Sequence, residues 1–218
     1  MIEKELAYYL HSLLPARPDK IVEMERFAGE HEVPIMDLIG MECLLQQLKL
    51  IKPKRILEIG TAIGYSAGRM ALALPEATIV TIERDAERYE QALANIQALK
   101  LTDRIDVWHG DALELSQKLE FESLFDVLFI DAAKGQYQRF FEMYGSYVKE
   151  GGVVFSDNVL FRGLVATDHI ENKRLRQLTN KIKTYNSWLM SQPDYETTII
   201  PVGDGLAVSV KKGRPGRG

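Results

Sequence analysis

Acidic side chains follow four short apolar segments, each at the point where the segment ends. They are Glu83 at the end of ATIVTIE, Asp111 after IDVWHG, Asp131 after FDVLFI and Asp157 after GGVVFS. Segments of this length and composition predict buried β-strands. Because the carboxyl ends of parallel strands meet at one edge of a sheet, we expect the four carboxylates to line a single binding site.

Two of these acids, together with a neighbouring amide, could hold a metal ion. Asp131, Asp157 and Asn158 would offer carboxylate and amide oxygens from adjacent strand ends, which is the donor type that Mg²⁺ prefers. Lys134 follows Asp131 by three residues and could act as a general base. The same residues also allow a simpler interpretation, in which Asp157 caps a turn, Asn158 adopts a left-handed conformation and Lys134 is a surface lysine.

The segment after the first predicted strand, RILEIG, suits a nucleoside. Gly60 and Gly64 allow close backbone approach before a helix that begins near Ser66, whose amino terminus offers N–H donors. The spacing is G-x-x-x-G rather than the G-x-G-x-x-G of dinucleotide sites, which disfavours a nicotinamide cofactor. Glu83, 23 residues after Gly60, suits the two ribose hydroxyls, and Asp111 would face the exocyclic amine of adenine. Taken singly, Gly60 could mark an ordinary turn and Glu83 a solvated strand end, but together they indicate an adenosine-type ligand.

The segments that must position these residues alternate between strand and helix patterns. Strand-like runs are RILEIG, ATIVTIE, IDVWHG, FDVLFID, GGVVFSD, TTIIPVG and GLAVSVK, and helical patterns occupy the intervals, including residues 112–120 and 171–192. This alternation predicts a Rossmann-like, doubly wound α/β fold with a mostly parallel seven-stranded sheet. The last two runs flank GDG and predict a hairpin that places an antiparallel strand at the sheet edge. Residues 1–50 predict a helical preface to this sheet.

Composition limits the class of protein. With 218 residues, 46% hydrophobic and 27% charged, the chain fits one globular domain over residues 1–210, followed by a basic flexible tail over residues 211–218. The net charge of −4 excludes a generally basic nucleic-acid binder, but residues 163–218 hold nine Lys or Arg against five Asp or Glu. The single cysteine, Cys43, excludes an internal disulfide and favours a reducing compartment. The amino terminus shows no signal peptide or membrane span, so we expect a cytoplasmic protein.

Five motifs between about residues 33 and 210 carry a family resemblance. LEIGTAIGYS, TIERD, FIDAAK, DNVLFRG and PVGDG resemble, in order and spacing, the cation-dependent class I O-methyltransferases of the catechol and caffeoyl-CoA type. The resemblance implies S-adenosylmethionine as cofactor. Its shell would comprise Met36, Gly60, Ser66, Glu83, Asp111, Ala112 and Asp131.

The same resemblance assigns the metal and the catalytic residues. It implies that Asp131, Asp157 and Asn158 hold Mg²⁺ or Mn²⁺, and that Lys134 and Asp131 are catalytic, with Lys134 as the base. The sequence departs from relatives in three places. Ala132 and Ala133 replace the bulky residues of animal catechol enzymes, and Phe161 stands where many relatives have tryptophan. These differences predict an altered or wider substrate pocket.

Methyl transfer at a metal-held oxygen requires a substrate with two neighbouring oxygens, one of them acidic. Catechols meet this requirement, and so does 5-hydroxyuridine. Bacterial tRNA 5-hydroxyuridine methyltransferases, which make 5-methoxyuridine at the wobble position (U34), resemble this chain in the short amino terminus, DNVLFRG and the basic carboxyl end. An extruded uridine could stack on Phe161. Contacts with the tRNA anticodon loop would come from Arg162, Lys173, Arg174, Arg176, Lys181, Lys183, Lys211 and Lys212, aided by Arg214 and Arg217.

The sequence leaves three alternatives to this interpretation open, and it also allows a homodimer. The substrate could be a small catechol or acyl-CoA phenol, the basic stretch could be a solvated helix face, and the domain could be a non-catalytic nucleoside- or RNA-binding module. The salt dependence of activity would distinguish a small-molecule substrate from tRNA, since phosphate contacts weaken steeply with ionic strength. Relatives of this length are commonly homodimers, and Leu6, Tyr9, Leu10 and Leu13 offer an apolar face for a second copy.

Overall fold

The computed structural model describes residues 4–167 and 169–213, and of Lys4 and Phe121 it describes only the backbone. Arg214 and Arg217, two of the candidate RNA contacts, lie outside this range. The helices are α1 (Lys4–Ser12), α2 (Asp19–Glu30), α3 (Leu38–Ile51), α4 (Tyr65–Ala73), α5 (Ala86–Ala98), α6 (Tyr137–Tyr144) and α7 (Lys173–Met190). The strands are β1 (Arg55–Ile59), β2 (Thr78–Glu83), β3 (Ile105–His109), β4 (Phe125–Ile130), β5 (Val148–Ser156), β6 (Tyr195–Ile200) and β7 (Leu206–Lys211).

The seven strands form one sheet, in the order β3-β2-β1-β4-β5-β7-β6. Strands β1 to β5 pair in parallel, and β7 pairs antiparallel with both β5 and β6. The predicted α/β fold with a mostly parallel seven-stranded sheet is therefore confirmed. The strand that runs against the others is β7, which lies between β5 and the edge strand β6.

Alternating side chains along the strands pack into two separate layers. Ile56, Ile79 and Phe129 face the layer formed with α2, α3, α4 and α5, whereas Leu57 and Leu128 face the layer formed with α6 and α7. Buried parallel strands are apolar on both faces for this reason. The N-terminal helices α2 and α3 belong to the first layer, so the preface is part of the domain's core.

A buried ionic cluster joins the helices of this first layer. Arg69 on α4 donates to the Tyr65 hydroxyl at 2.8 Å and to a carboxylate oxygen of Glu42 on α3. Its guanidinium also lies 3.7 Å from Glu25 on α2, which accepts from the Tyr65 hydroxyl at 3.0 Å and from Arg17 Nε at 2.8 Å. Each buried charge thus has an opposite charge beside it, as buried charges in proteins require.

Two predictions about local structure need correction or extension. Residues 112–120 are not an α-helix, because Asp111 Oδ1 accepts from the Leu113 amide in a local turn and only a 3-10 turn follows, at Ser116–Phe121. Strand β7 extends through Lys211, which is the first residue of the predicted tail, and the Lys212 amide donates to the carbonyl of Asp194. The division into a domain and a flexible tail otherwise stays a prediction.

Helix α1 leaves most of its apolar side chains exposed. Leu6, Tyr9 and Leu13 are about half exposed or more, and Leu10 is half-buried. The proposed homodimer through this face stays a prediction. Within the described residues, no helix is long and apolar enough to cross a membrane.

Candidate active site

Strand register brings the predicted site residues to one edge of the sheet. Ile59 on β1 pairs with Ile130 on β4, and Ile130 pairs with Ser156 on β5. The next residue on each strand continues the ladder, since the Asp131 amide donates to Ile59 and the Asp157 amide donates to Ile130, both at 3.0 Å. Asp131 and Asp157 therefore leave neighbouring strands at the same level.

A cavity of about 340 Å³ lies above these strand ends. It contacts every residue predicted for the cofactor, the metal and proton transfer. Those residues are Met36, Gly60, Ser66, Glu83, Asp111, Ala112, Asp131, Lys134, Asp157 and Asn158. The structure thus brings the whole predicted set together, whereas the role of each residue stays a prediction.

One half of the cavity is acidic, and burial raises the pKa of both of its aspartates. Burial raises the pKa of Asp131 to about 6, although the nearby Lys134 ammonium lowers it. Asp157 is 2% exposed, and burial followed by the charge of Asp131 raises its pKa well above the usual range. Asn158 donates from Nδ2 to Asp157 at 2.6 Å, and its Oδ1 accepts from Lys134 Nζ. The two acids lack a full counter-charge, which a bound cation would supply.

The donor set fits a hard divalent ion. No group of three His, Cys, Asp or Glu side chains that could hold a metal occurs among the described residues. The candidate donors are instead two carboxylates and one amide, and the Lys134 ammonium already lies on the amide oxygen of Asn158. Oxygen donors that attract a cation and lie in a desolvated pocket match the coordination preferences of Mg²⁺ and Mn²⁺.

The other half of the cavity suits a nucleoside. Glu83 accepts from the backbone amides of Ala62 and Asp85, at 2.8 and 2.9 Å, which fixes its carboxylate at the end of β2. Ala112 is held by the Tyr144 hydroxyl, which donates to its carbonyl at 2.6 Å. These contacts preorganise acceptors on the side where ribose and adenine were predicted.

The presence of glycine at position 60 has a structural cause as well as a predicted role in ligand binding. Its φ is +105°, and a Cβ at this position would lie 2.0 Å from the backbone oxygen of Asp131. Only glycine allows β1 and β4 to end this closely together. The simpler interpretation of Gly60 as a turn residue and its place in the cavity wall therefore both hold.

Sequence reasoning missed Glu58, which lies directly beneath the cavity. Its side chain is completely buried and accepts from Ser66 and, at 2.6 Å, from Thr81. Burial raises the pKa of Glu58 to about 7, against the lowering effect of these two hydrogen bonds. The available signal was a single acid inside the apolar strand RILEIG. Ser66, predicted near a helix amino terminus that binds the ligand, directs its hydroxyl to Glu58.

Two arginines of the cavity wall were also missed. Arg84 follows the predicted ribose acid Glu83, and Arg88 lies in the first turn of α5. Nothing in their spacing distinguishes them from surface residues of a helix and its preceding loop. Their position is a result of where α5 begins, after its N-terminal cap Asp85.

The basic residues divide into two groups. Arg162, Lys173, Arg174, Arg176, Lys181 and Lys183 are exposed. Lys181 Nζ lies beside Gly135, which is in the turn that follows Asp131. A Cβ added to Gly135 would be 3.5 Å from this nitrogen. Lys211 and Lys212 are elsewhere: Lys211 Nζ donates to the carbonyls of Gly145 and Val148, at the start of β5. Because β7 runs antiparallel to β5, it carries both lysines away from the cavity: Ala207 pairs with Ser156, and Lys211 lies four residues further along β7, roughly 14 Å away.

The side of the cavity next to Lys134 carries two small residues. Ala132 and Ala133 contribute to its wall, and Ala133 is exposed. The ring of Phe161 lies 6.0 Å from Lys134 Nζ, in a segment where Phe161, Arg162 and Gly163 all have positive φ. This places an aromatic surface beside the candidate base.

Comparison with known proteins gives a consistent result. Residues 16–212 match the family model described as O-methyltransferase. Caffeoyl-CoA O-methyltransferase 1 of Eucalyptus globulus is 34% identical over 214 residues, covering 93% of this chain and 87% of that protein. A candidate caffeoyl-CoA O-methyltransferase from Staphylococcus aureus superposes with a TM-score of 0.88 at 34% identity, covering 97% of this chain and all of the other. An O-methyltransferase from Bacillus cereus, in complex with SAH, gives a TM-score of 0.82 at 27% identity, with 97% and 100% covered.

Proposed function

Because the chain belongs to the O-methyltransferase family, we propose that it transfers a methyl group from S-adenosylmethionine, with the help of Mg²⁺ or Mn²⁺, to 5-hydroxyuridine at the wobble position of tRNA. The observation that carries this proposal is the cavity at the strand ends, which joins a half suited to a nucleoside to an acidic half and has the exposed Lys181 of α7 beside the turn at Gly135. The B. cereus relative in complex with SAH supports the cofactor. A tRNA substrate would place the enzyme in the cytoplasm.

In the acidic half, Asp131, Asp157 and Asn158 would hold the ion and the substrate against it. A bound divalent ion supplies a lower pKa for a coordinated hydroxyl and fixes two neighbouring substrate oxygens. Asp131 lies on the border between the two halves, so its carboxylate can also orient the cofactor toward the substrate oxygen. In-line alignment of this kind contributes a large share of the rate of displacement reactions.

Lys134 is placed to take the proton. Its Nζ donates to Asn158 Oδ1. It would be free to reach the substrate hydroxyl if that amide oxygen held an ion instead. In its neutral form Nζ then accepts the proton of the substrate hydroxyl, whose oxygen forms the new bond to the methyl carbon. The bond between that carbon and the sulfonium sulfur breaks, and the sulfur keeps the electron pair as a neutral thioether.

The tRNA assignment depends on the exposed charges of α7 and the loop before it. Arg162, Lys173, Arg174, Arg176, Lys181 and Lys183 are candidates for phosphate contacts, whereas Lys211 and Lys212 lie away from the cavity and are left out of the proposed interface. Lys181 lies over the turn that follows Asp131, so a nucleotide in the cavity would have its backbone near this lysine. Phe161 would offer a stacking surface to the extruded base.

A second candidate function is methylation of a small phenol. The identity of about 34% to plant caffeoyl-CoA O-methyltransferases over most of both chains favours it. The cavity contacts that support the cofactor and metal are the same for both substrates. The candidates differ only in whether the basic face of α7 takes part.

The experiment that tests the proposal measures transfer of labelled methyl from S-adenosylmethionine to tRNA carrying 5-hydroxyuridine, with caffeoyl-CoA in parallel and with or without EDTA. Label on the tRNA that disappears with EDTA supports the proposal, and label on caffeoyl-CoA alone supports the second candidate. For the interface, we expect Lys181→Glu to weaken activity on tRNA about tenfold and to flatten its salt dependence. Lys212→Glu, away from the cavity, is the matched control and should change neither.

A further inference from the structure

Two neighbouring residues of α7 form hydrogen bonds with the residues on either side of the Asp157–Asn158 pair, one to a side chain and one to the backbone. The Tyr185 hydroxyl and Ser156 Oγ share a hydrogen bond of 2.7 Å. Asn186 Nδ2 donates to the carbonyl of Val159 at 2.8 Å. Ser156, Tyr185 and Val159 are each at most 3% exposed, so water does not compete for these bonds. One turn of helix thus holds the residue before the pair and the residue after it.

The pair needs such support, because two features work against its geometry. Asn158 has a φ of +58°, a left-handed conformation that asparagine adopts more readily than other residues with a side chain but less readily than glycine. The carboxylate of Asp157 also lies near that of Asp131, and like charges repel most strongly where water is excluded. On the far side, the hairpin before β7 adds one contact, since the Val159 amide donates to Gly205 at 3.0 Å.

We propose that Tyr185 and Asn186 are positioning residues, which fix the Asp157–Asn158 pair in the geometry needed to bind a divalent cation. This inference rests on the metal site of the proposed function. Residues that orient metal ligands from behind commonly change metal affinity by a factor of ten or more when they are altered. Helix α7 then has two tasks: Lys181 lies beside the turn after Asp131, and Tyr185 and Asn186 hold the ion site in place.

The experiment titrates Mn²⁺ into the cofactor-free protein and measures free ion by electron paramagnetic resonance. Tyr185→Phe keeps the ring contacts with Tyr137 and Trp188 but loses the hydroxyl. We expect this variant and Asn186→Leu to bind Mn²⁺ about tenfold more weakly. Excess Mg²⁺ should restore their turnover, so that the apparent KM for the metal rises while kcat is kept. The affinity for S-adenosylmethionine, measured by calorimetry, should stay within about twofold.

Tyr144→Phe is the matched control. It also removes a buried tyrosine hydroxyl that holds a cavity residue, but this hydroxyl donates to Ala112 on the nucleoside side. We expect Tyr144→Phe to weaken the binding of S-adenosylmethionine and to leave Mn²⁺ affinity unchanged. If Tyr185→Phe weakens only Mn²⁺ binding and Tyr144→Phe weakens only S-adenosylmethionine binding, each hydroxyl acts on its own half of the cavity.

Ser156→Ala removes the other partner of the Tyr185 bond and completes a double-mutant cycle. If the bond matters for the ion, the double variant should lose no more Mn²⁺ affinity than either single variant. Folded Tyr185→Phe and Asn186→Leu proteins that bind Mn²⁺ as tightly as the unaltered protein would overturn the positioning role and leave the proposed function intact. Failure of the unaltered protein to bind Mn²⁺ would overturn the metal site itself and this inference with it.

Discussion

Two groups of buried and half-buried charged residues contact the first turn of α4, one through Tyr65 and the other through Ser66, and they differ in how far their charges are compensated. In the ionic cluster of α2, α3 and α4, Arg69 contacts Glu25, Glu42 and the Tyr65 hydroxyl. At the cavity, burial raises the pKa of Glu58, beneath its wall, to about 7 and that of Asp131, in its wall, to about 6, and Lys134 is the nearby cation that opposes this shift at Asp131. Paired buried charges hold a fold together, whereas under-compensated ones create a demand for a ligand.

The largest effect is expected for Asp157→Asn, which tests whether the acids serve a ligand rather than the fold. Loss of one carboxylate should lower turnover at least about a thousandfold, since a metal contributes several kcal/mol to transition-state stabilisation. The free energy of unfolding of the metal-free protein should stay equal or rise, because an uncompensated buried charge has been removed. Turnover and urea unfolding measure the two effects. A marked loss of stability would contradict the comparison, since it would make Asp157 a structural residue.

The opposite result is expected for the ionic cluster. Arg69→Met leaves Glu25 and Glu42 without their shared cation, and breaking a buried pair in this way should lower the free energy of unfolding by about 3 kcal/mol. Denaturant unfolding measures the loss. The midpoint should still rise when Mg²⁺ is added, because the ion binds the native state at an unaltered site. Absence of that rise would mean that the two groups are coupled.

Most residues of one group could be predicted from the sequence, whereas those of the other could not. The strand-end acids were predictable, because apolar runs indicate parallel strands and every such strand ends at the same edge. The ionic cluster was not, because Glu25, Glu42 and Arg69 come from three different helices and helical periodicity says nothing about which faces meet. The positions of Lys211 and Lys212 were not predictable for a related reason: the sequence indicated an antiparallel strand but not at which end of the sheet that strand would finish. Their contact with RNA stays a prediction.

A third prediction concerns pH and Glu58. Its pKa in the fold is about 7, above the ordinary value of 4.5, so the unfolded chain releases this proton first as the pH rises. Stability is therefore highest below about pH 4.5 with respect to this group, falls between pH 4.5 and 7, and is constant above. The fall should amount to about 2–3 kcal/mol in protein without metal or cofactor.

Glu58→Gln should remove this part of the pH dependence and leave the part that belongs to Asp131 and Asp157. Thermal unfolding at closely spaced pH values gives both curves. If stability depends on pH in the same way in the variant and in the unaltered protein, the charge of Glu58 is compensated in the fold. The ionic cluster and the acids at the cavity would then differ less than the structure indicates.

The smallest effect is expected at the rim of the ionic cluster. Arg17 Nε donates to Glu25 at 2.8 Å, but its side chain is 20% exposed and water can replace it. Arg17→Met should therefore cost at most about 1 kcal/mol of stability. A loss as large as that of Arg69→Met would show that the cluster depends on its net charge rather than on burial of each pair.

The in-step pairing of β1, β4 and β5 has a consequence for how the gene can vary. Asp131 and Asp157 reach the cavity because each stands one position past an aligned trio, Ile59, Ile130 and Ser156. A one-residue deletion inside β4 would exchange the two faces of that strand, turning Phe129 and Leu128 toward the wrong layers, and would draw Asp131 back into the sheet. Insertions and deletions in these strands should therefore be far rarer among functional variants than apolar substitutions at the same positions.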